Sequence, residues 1–208
     1  MLTPEQFLAF LAAAVLITAS PGPDNLMVLG FGIARGRRQG MVFGLGCALG
    51  CLSHTLLAAA GISGLIAASP LAFGALKVAG GLYLLWLGVQ ALRSRGGARI
   101  GTVSGPALSL RALFAKGLLA NAINPKVVLF FLSFLPQFVI ADHGRVAWQT
   151  VQLGLTFTVQ AAVLFGALGY FSGSVGQWLQ RKPGAPAWLD RIAGMIFVGL
   201  GVKLIAGR

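Results

Sequence analysis

Residues 20–25 read SPGPDN, between AFLAAAVLITA (9–19) and LMVLGFGIA (26–34). In a soluble chain two prolines, a glycine and an aspartate would mark a surface turn between short elements. The flanks exclude that reading, because together they form one apolar run from about residue 6 to 34, long enough to cross a hydrocarbon core of roughly 30 Å. A second interruption, NAINPK (121–126), divides another apolar run. Helix breakers with charged and amide residues inside two membrane-length runs are the feature to explain.

The 208 residues are 57% hydrophobic and 10% charged, with thirty glycines and a mean hydropathy of +0.85. Such values lie outside the soluble globular range and indicate an integral membrane protein built from helices. Six spans are expected, at about 6–34, 41–66, 71–92, 113–141, 148–178 and 188–206. RGRRQG, SP at 69–70, a Gly/Ser/Arg-rich stretch from Arg93 to Arg111, DHGR and RKPGAP connect them. Trp148, Trp178 and Trp188 fall near span ends, where indole rings favour the interface. No segment is left for a soluble domain, so residues 1–208 read as a single membrane domain.

The net charge of +12 does not indicate nucleic acid, because the basic residues sit in short clusters between apolar runs without interleaved aromatics. They orient the protein. Arg35, Arg37, Arg38, Arg93, Arg95, Arg99, Arg111, Lys116, Arg181, Lys182 and Arg191 follow spans one, three and five, against Lys77, Arg145, Lys203 and Arg208 on the other side. This asymmetry of eleven to four puts both termini on the extracytoplasmic side. The N-terminus carries Glu5 and no Lys or Arg, the wrong pattern for a cleaved signal peptide, so the first run is expected to be retained.

Six spans divide into three plus three: repeat one at about 1–95, a basic linker at about 96–110 and repeat two at about 111–208. GGLYLLWLGVQALRSR and AGMIFVGLGVKLIAGR align without a gap, matching Gly81, Leu87, Gly88, Val89 and Arg95 to Gly194, Leu200, Gly201, Val202 and Arg208. The first span of each half carries the break. An odd number of spans per half inverts one half relative to the other.

Proline removes a backbone donor and strips the carbonyl four residues earlier of its partner. Pro21 and Pro23 should therefore free the carbonyls of Ile17 and Ala19, and Pro125 that of Asn121. In hydrocarbon such groups are tolerated only where protein covers them or they line a wet cavity, so the two breaks are expected to face each other inside the bundle. Paired breaks in inverted halves mark a transporter's substrate site. Pro21, Gly22, Pro23, Asp24, Asn25, Asn121, Asn124, Pro125 and Lys126 are the candidate binding or coupling residues, and their two signs of charge suit a zwitterion.

Other polar residues are weaker candidates. His54, on one face with Cys47, Cys51 and Ala58, packs or hydrogen-bonds across helices more readily than it relays protons. Gln149, Gln152, Thr156 and Gln160 follow helical spacing along span five; they line a cavity or bond to neighbouring helices. Cys47 and Cys51 read as small packing residues rather than metal ligands. Neither a G-x-S-x-G string nor HExxH is present, so no enzyme, metal or cofactor is expected.

SPGPDNLMVLGFGIARGRRQG (20–40) and KGLLANAINPKVVLFFLSFLPQFV (116–139) resemble the signature stretches of the lysine exporter (LysE/RhtB) family of bacterial amino-acid efflux proteins. The resemblance runs the length of the chain. It implies an inner-membrane exporter of amino acids or close relatives, driven by proton motive force through antiport, and a homodimer. It maps the family's proline motifs onto Pro21, Gly22, Pro23 and onto Asn124, Pro125. The roles of Asp24 and Asn25 come from their chemistry, with Asp24 as the proton-responsive carboxylate. An ion channel, or an exporter of another small solute, built on the same broken helices is the alternative.

Overall fold

The computed structural model describes residues 2–94, 106, 108–140, 145–182 and 184–206, except the side chains of residues 62–68, 70 and 73. Arg95, Arg99, Asp142, His143, Arg208 and most of the 96–110 linker lie outside the described residues.

The first break separates α1 (Pro4–Ala19) from α2 (Pro23–Arg35). Thr3 and Gln6 close a capping box over the first turn of α1, with Pro4 at its first helical position, where a missing N–H costs nothing. Pro23 opens α2 in the same way, after the extended residue Gly22. Gly36, at φ +96°, is the only residue between α2 and α3 (Arg37–Ala68). Most of the basic RGRRQG stretch, expected as a loop, is thus already helical. α4 (Pro70–Arg93) starts from a Ser69 cap, and α5 (Leu110–Ala122) from a Ser109 cap.

The second break separates α5 from α6 (Pro125–Leu129). The chain continues through a π turn (Phe130–Phe134) and a 3-10 turn (Leu135–Phe138) that contains Pro136. The bends at the two breaks are 56° and 50°. α7 (Val146–Tyr170) and α8 (Ser172–Arg181) replace the single span expected at 148–178, and α9 (Ala185–Ala206) follows. The sequence Gly169-Tyr-Phe-Ser-Gly173 has low helix propensity, and the Ser172 hydroxyl bonds to the Gly169 carbonyl at 2.8 Å instead of pointing into solvent.

Among the described residues three helices are long and apolar enough to cross a membrane, at 37–61, 74–93 and 146–170, or up to five when each bent pair counts as one span. α9, expected as a sixth, carries Asp190, Arg191 and Lys203 and is not among the five. The described residues form helices and turns without strands.

Glycines set the close approaches. A β-carbon on Gly46 would collide with the Phe114 carbonyl, and one on Gly117 with the Phe43 carbonyl, so α3 and α5 touch backbone to backbone. α4 and α9 meet through a reciprocal pattern. A β-carbon on Gly81 would lie 3.1 Å from the Gly201 carbonyl, and one on Gly201 lies 2.9 Å from that of Gly81. Gly88 and Gly194 repeat this at 2.9 and 2.8 Å. The glycines that align between the two halves of the sequence are therefore the ones that touch across them. Small residues permit such contacts, on which helix association in lipid relies.

Aromatic rings fill the space between the breaks and one end of the bundle. Phe10 meets Phe138 at 5.3 Å, and Phe130 meets Phe134 at 5.2 Å and Phe157 at 5.1 Å. Beyond them Gln6 donates to the Phe138 carbonyl and, at 3.0 Å, to the Gln149 side chain. Gln149 in turn brackets Ile140 through bonds of 2.8 and 3.1 Å.

Gly46→Ala is expected to destabilise the protein by about 1–3 kcal/mol through overpacking, read as a lower unfolding midpoint in detergent. Gly166→Ala, whose β-carbon would meet open space, should leave the midpoint unchanged. Equal midpoints would mean that α3 and α5 separate without cost.

Candidate functional site between the broken helices

Two of the carbonyls expected to be released by the prolines, those of Ile17 and Asn121, are taken up by side chains. Ile17 O accepts from Ser20 Oγ at 3.1 Å and from Lys126 Nζ at 3.0 Å. Ser20 O accepts from the same ammonium at 3.2 Å, and Thr18 O accepts from Asn25 Nδ2 at 2.9 Å. At the second break Asn121 O lies 3.1 Å from His54 Nε2 and accepts from the Asn124 N–H at 2.9 Å. A carbonyl only accepts, so Nε2 is the protonated nitrogen of His54. Each break is closed by groups outside its own helix, as hydrocarbon demands.

Asn121 Nδ2 donates to Asp24 Oδ2 at 2.8 Å, while the Asn121 side-chain oxygen accepts from the Cys51 thiol at 3.4 Å. Asn124 caps α6 by accepting from Lys126 N at 3.0 Å. Asp24 and Lys126 are both buried, 4% and 8% exposed. They do not bond to each other. The ammonium serves the carbonyls before the first break and lies 5.7 Å from the Phe197 ring, and the carboxylate is held by Asn121. Nor does Asp24 cap α2, whose N-terminus has no side-chain cap. Each charge instead grips the opposite half.

Ile17, Thr18, Asp24, Asn25, Asn121 and Lys126 line a cavity of about 10 Å³ closed by Phe130, Phe157 and Phe165, space for about one water. A β-carbon on Gly22 would lie 2.9 Å from Lys126 Nζ, so the glycine leaves room for the ammonium. Two buried polar atoms here have no partner: Asn124 Nδ2 and Gln160 Oε1. Natural structures rarely leave such groups unpaired without reason.

The nine main candidates come together around the two breaks. Of the weaker ones, His54 joins them through the Asn121 carbonyl, and Gln160 donates to Thr18 Oγ1 at 2.8 Å. Thr156 does not join; its hydroxyl bonds to the Gln152 carbonyl at 2.9 Å, beside a groove between α1 and α7. Thr18 and Ser20 were missed by sequence reasoning, although hydroxyl residues flanking Ala19 just before a proline break are a usable signal. Among the described residues no group of three or more His, Cys, Asp or Glu could hold a metal, and Cys47 and Cys51 are free and buried.

A second cavity, about 600 Å³, runs along α2 from Pro21 and Asn25 past Leu29 to Ile33 and Ala34. Its other walls are α8, at Val175 and Leu179, and α9, at Leu189 and Asp190. Asn25 lines both cavities.

Lys126→Met would leave the Ser20 carbonyl without its donor, at a cost of about 1–3 kcal/mol, and the Ile17 carbonyl with the Ser20 hydroxyl alone. Its unfolding midpoint in detergent should therefore fall further than that of Gln160→Ala, which releases one neutral bond. A Lys126→Met midpoint at the wild-type value would show that the ammonium does not hold the first break.

The sequence has relatives among known proteins. The LysE type translocator family matches residues 15–208. The threonine efflux protein of Escherichia coli is 31% identical over 97% of this chain and 98% of its own. The leucine efflux protein of Klebsiella pneumoniae is 29% identical over 95% and 93%, and the homoserine/homoserine lactone efflux protein of Salmonella typhimurium 29% over 100% and 99%. No solved structure matches. A family match spanning nearly the whole sequence, including both breaks, makes this a transporter rather than an enzyme: the chain belongs to the LysE type translocator family.

Proposed function

We propose that this protein exports amino acids or close derivatives from the cytoplasm as a secondary active transporter of the bacterial inner membrane. The observation that carries the reading is the pair of interlocked breaks, which brings a buried carboxylate and a buried ammonium around one cavity, with an unpartnered amide donor on Asn124 at the second break. These groups complement a zwitterion. Asp24 receives the substrate ammonium, and Lys126 with Asn124 Nδ2 receives its carboxylate. Amino-acid efflux is also what the names of the threonine, leucine and homoserine relatives describe.

The architecture we propose is six spans in two inverted three-helix halves, with α9 as the sixth span and both termini extracytoplasmic. The reciprocal glycine contacts of α4 and α9 support it, because exchanging the two halves maps Gly81 against Gly201 onto Gly194 against Gly88. Space for about one water cannot hold an amino acid, so loading requires the halves to part around the breaks. Parting breaks the Asp24–Asn121 and Lys126–carbonyl bonds and frees both charges for substrate. Proton coupling follows at Asp24: substrate loads while the carboxylate is ionised, and protonation permits the return.

Counterflow and efflux in proteoliposomes against a panel of amino acids test the reading. The wild type is expected to exchange at least one of them and to drive its efflux with a pH gradient. Asp24→Asn should lose at least tenfold of the gradient-driven efflux while retaining exchange. Conductance without competition by any amino acid would establish a channel, and full gradient-driven efflux by Asp24→Asn would remove the proton role.

A further inference from the structure

The 600 Å³ cavity between α2, α8 and α9 has a size typical of small-molecule sites, and the breaks do not account for it. Leu26, Leu29, Ile33, Val175, Leu179 and Leu189 make its walls aliphatic. One end is Asn25, the residue it shares with the small cavity. From Asn25 to Ala34 it follows α2 for roughly 14 Å at helical rise. The far end lies beside Arg35, Arg37 and Arg38 on one side and Arg181, Lys182 and Arg191 on the other, the clusters that the positive-inside rule assigns to the cytoplasm.

At that end stands Asp190, 8% exposed, which accepts from Ser94 Oγ at 2.5 Å. Among the described residues no cation pairs with it. A carboxylate so buried in an apolar wall is costly to keep without a cationic partner. Between Asn25 at one end and Gln180 and Asp190 in the α8 and α9 walls the lining is apolar, and the basic rim disfavours a substrate of net positive charge.

We propose that this cavity is the cytoplasmic loading site, where Asp190 captures the ammonium of an amino acid whose side chain is neutral and aliphatic. The side chain lies along Leu29 and Leu179. Asn25 separates this site from the breaks, and release of its bond to the Thr18 carbonyl passes the substrate inward. The inference rests on the reading of the protein as an amino-acid exporter.

Counterflow of radiolabelled leucine and alanine in proteoliposomes tests it. Asp190→Asn is expected to raise the half-saturating leucine concentration at least tenfold with the maximal rate within twofold of wild type, and Asp190→Glu to restore it. Leu179→Trp should shift preference from leucine to alanine at least tenfold. Val163→Trp, on the exposed face of α7, should change neither quantity. If the wild type carries leucine while the Asp190 and Leu179 variants keep wild-type half-saturation and preference, the cavity is a lipid-filled groove; the inference falls and amino-acid export stands. If the wild type carries neither leucine nor alanine but exchanges another amino acid, the assigned side-chain class is wrong and the inference again falls alone. If it carries no amino acid at all, both readings fall.

Discussion

A backbone carbonyl without a donor cannot stay in hydrocarbon, and the rest of this structure is arranged around that constraint. The prolines at 21, 23 and 125 remove donors where water cannot replace them. Replacements come from the other half of the chain: Lys126 reaches the carbonyls of Ile17 and Ser20, and His54 reaches that of Asn121. Each half is therefore incomplete without the other. The same bonds hold a positive and a negative side chain at the centre of the bundle, so the groups that stabilise the closed arrangement are also those a zwitterion can replace.

Such a contact needs a scaffold that brings backbones together and can release them. Glycine provides the first, at Gly46 and Gly117 between α3 and α5 and at the four reciprocal glycines of α4 and α9. Polar contacts provide the second. The glutamine clasp of Gln6 and Gln149 and the phenylalanine layer beneath it close one side of the breaks, while the aliphatic cavity along α2 opens on the other. The layout is asymmetric about the site, with a plug on one side and a passage on the other.

Much of this was legible in the sequence because membranes make rules strict. Proline within an apolar run announces a break, and the polar residues beside it announce its lining, so all nine main candidates cluster at the breaks. Composition does not reveal partners. Asp24 and Lys126 carry opposite charges, yet each bonds to neutral groups, because a freed carbonyl competes for an ammonium as effectively as a carboxylate does at that position. The turn at Phe171 was missed because apolar glycine-rich sequence continues through it; the bond of Ser172 to the Gly169 carbonyl and its packing against Gly32 give it a reason. The cavity along α2 was invisible for the same cause: leucines that face a void and leucines that face lipid have identical periodicity.

The central claim is that the two halves part around the breaks during each cycle, and the Gln6–Gln149 clasp offers the most direct way to test it without touching the site. The double variant Gln6→Cys/Gln149→Cys can be joined by a short bifunctional thiol reagent, since the native Cys47 and Cys51 are buried. Amino-acid counterflow in proteoliposomes should be abolished in the cross-linked protein and should match the untreated double variant when reagent that has reacted at only one cysteine is used. Counterflow at the untreated rate in fully cross-linked protein would contradict the account, because the substrate would then cross without the halves separating.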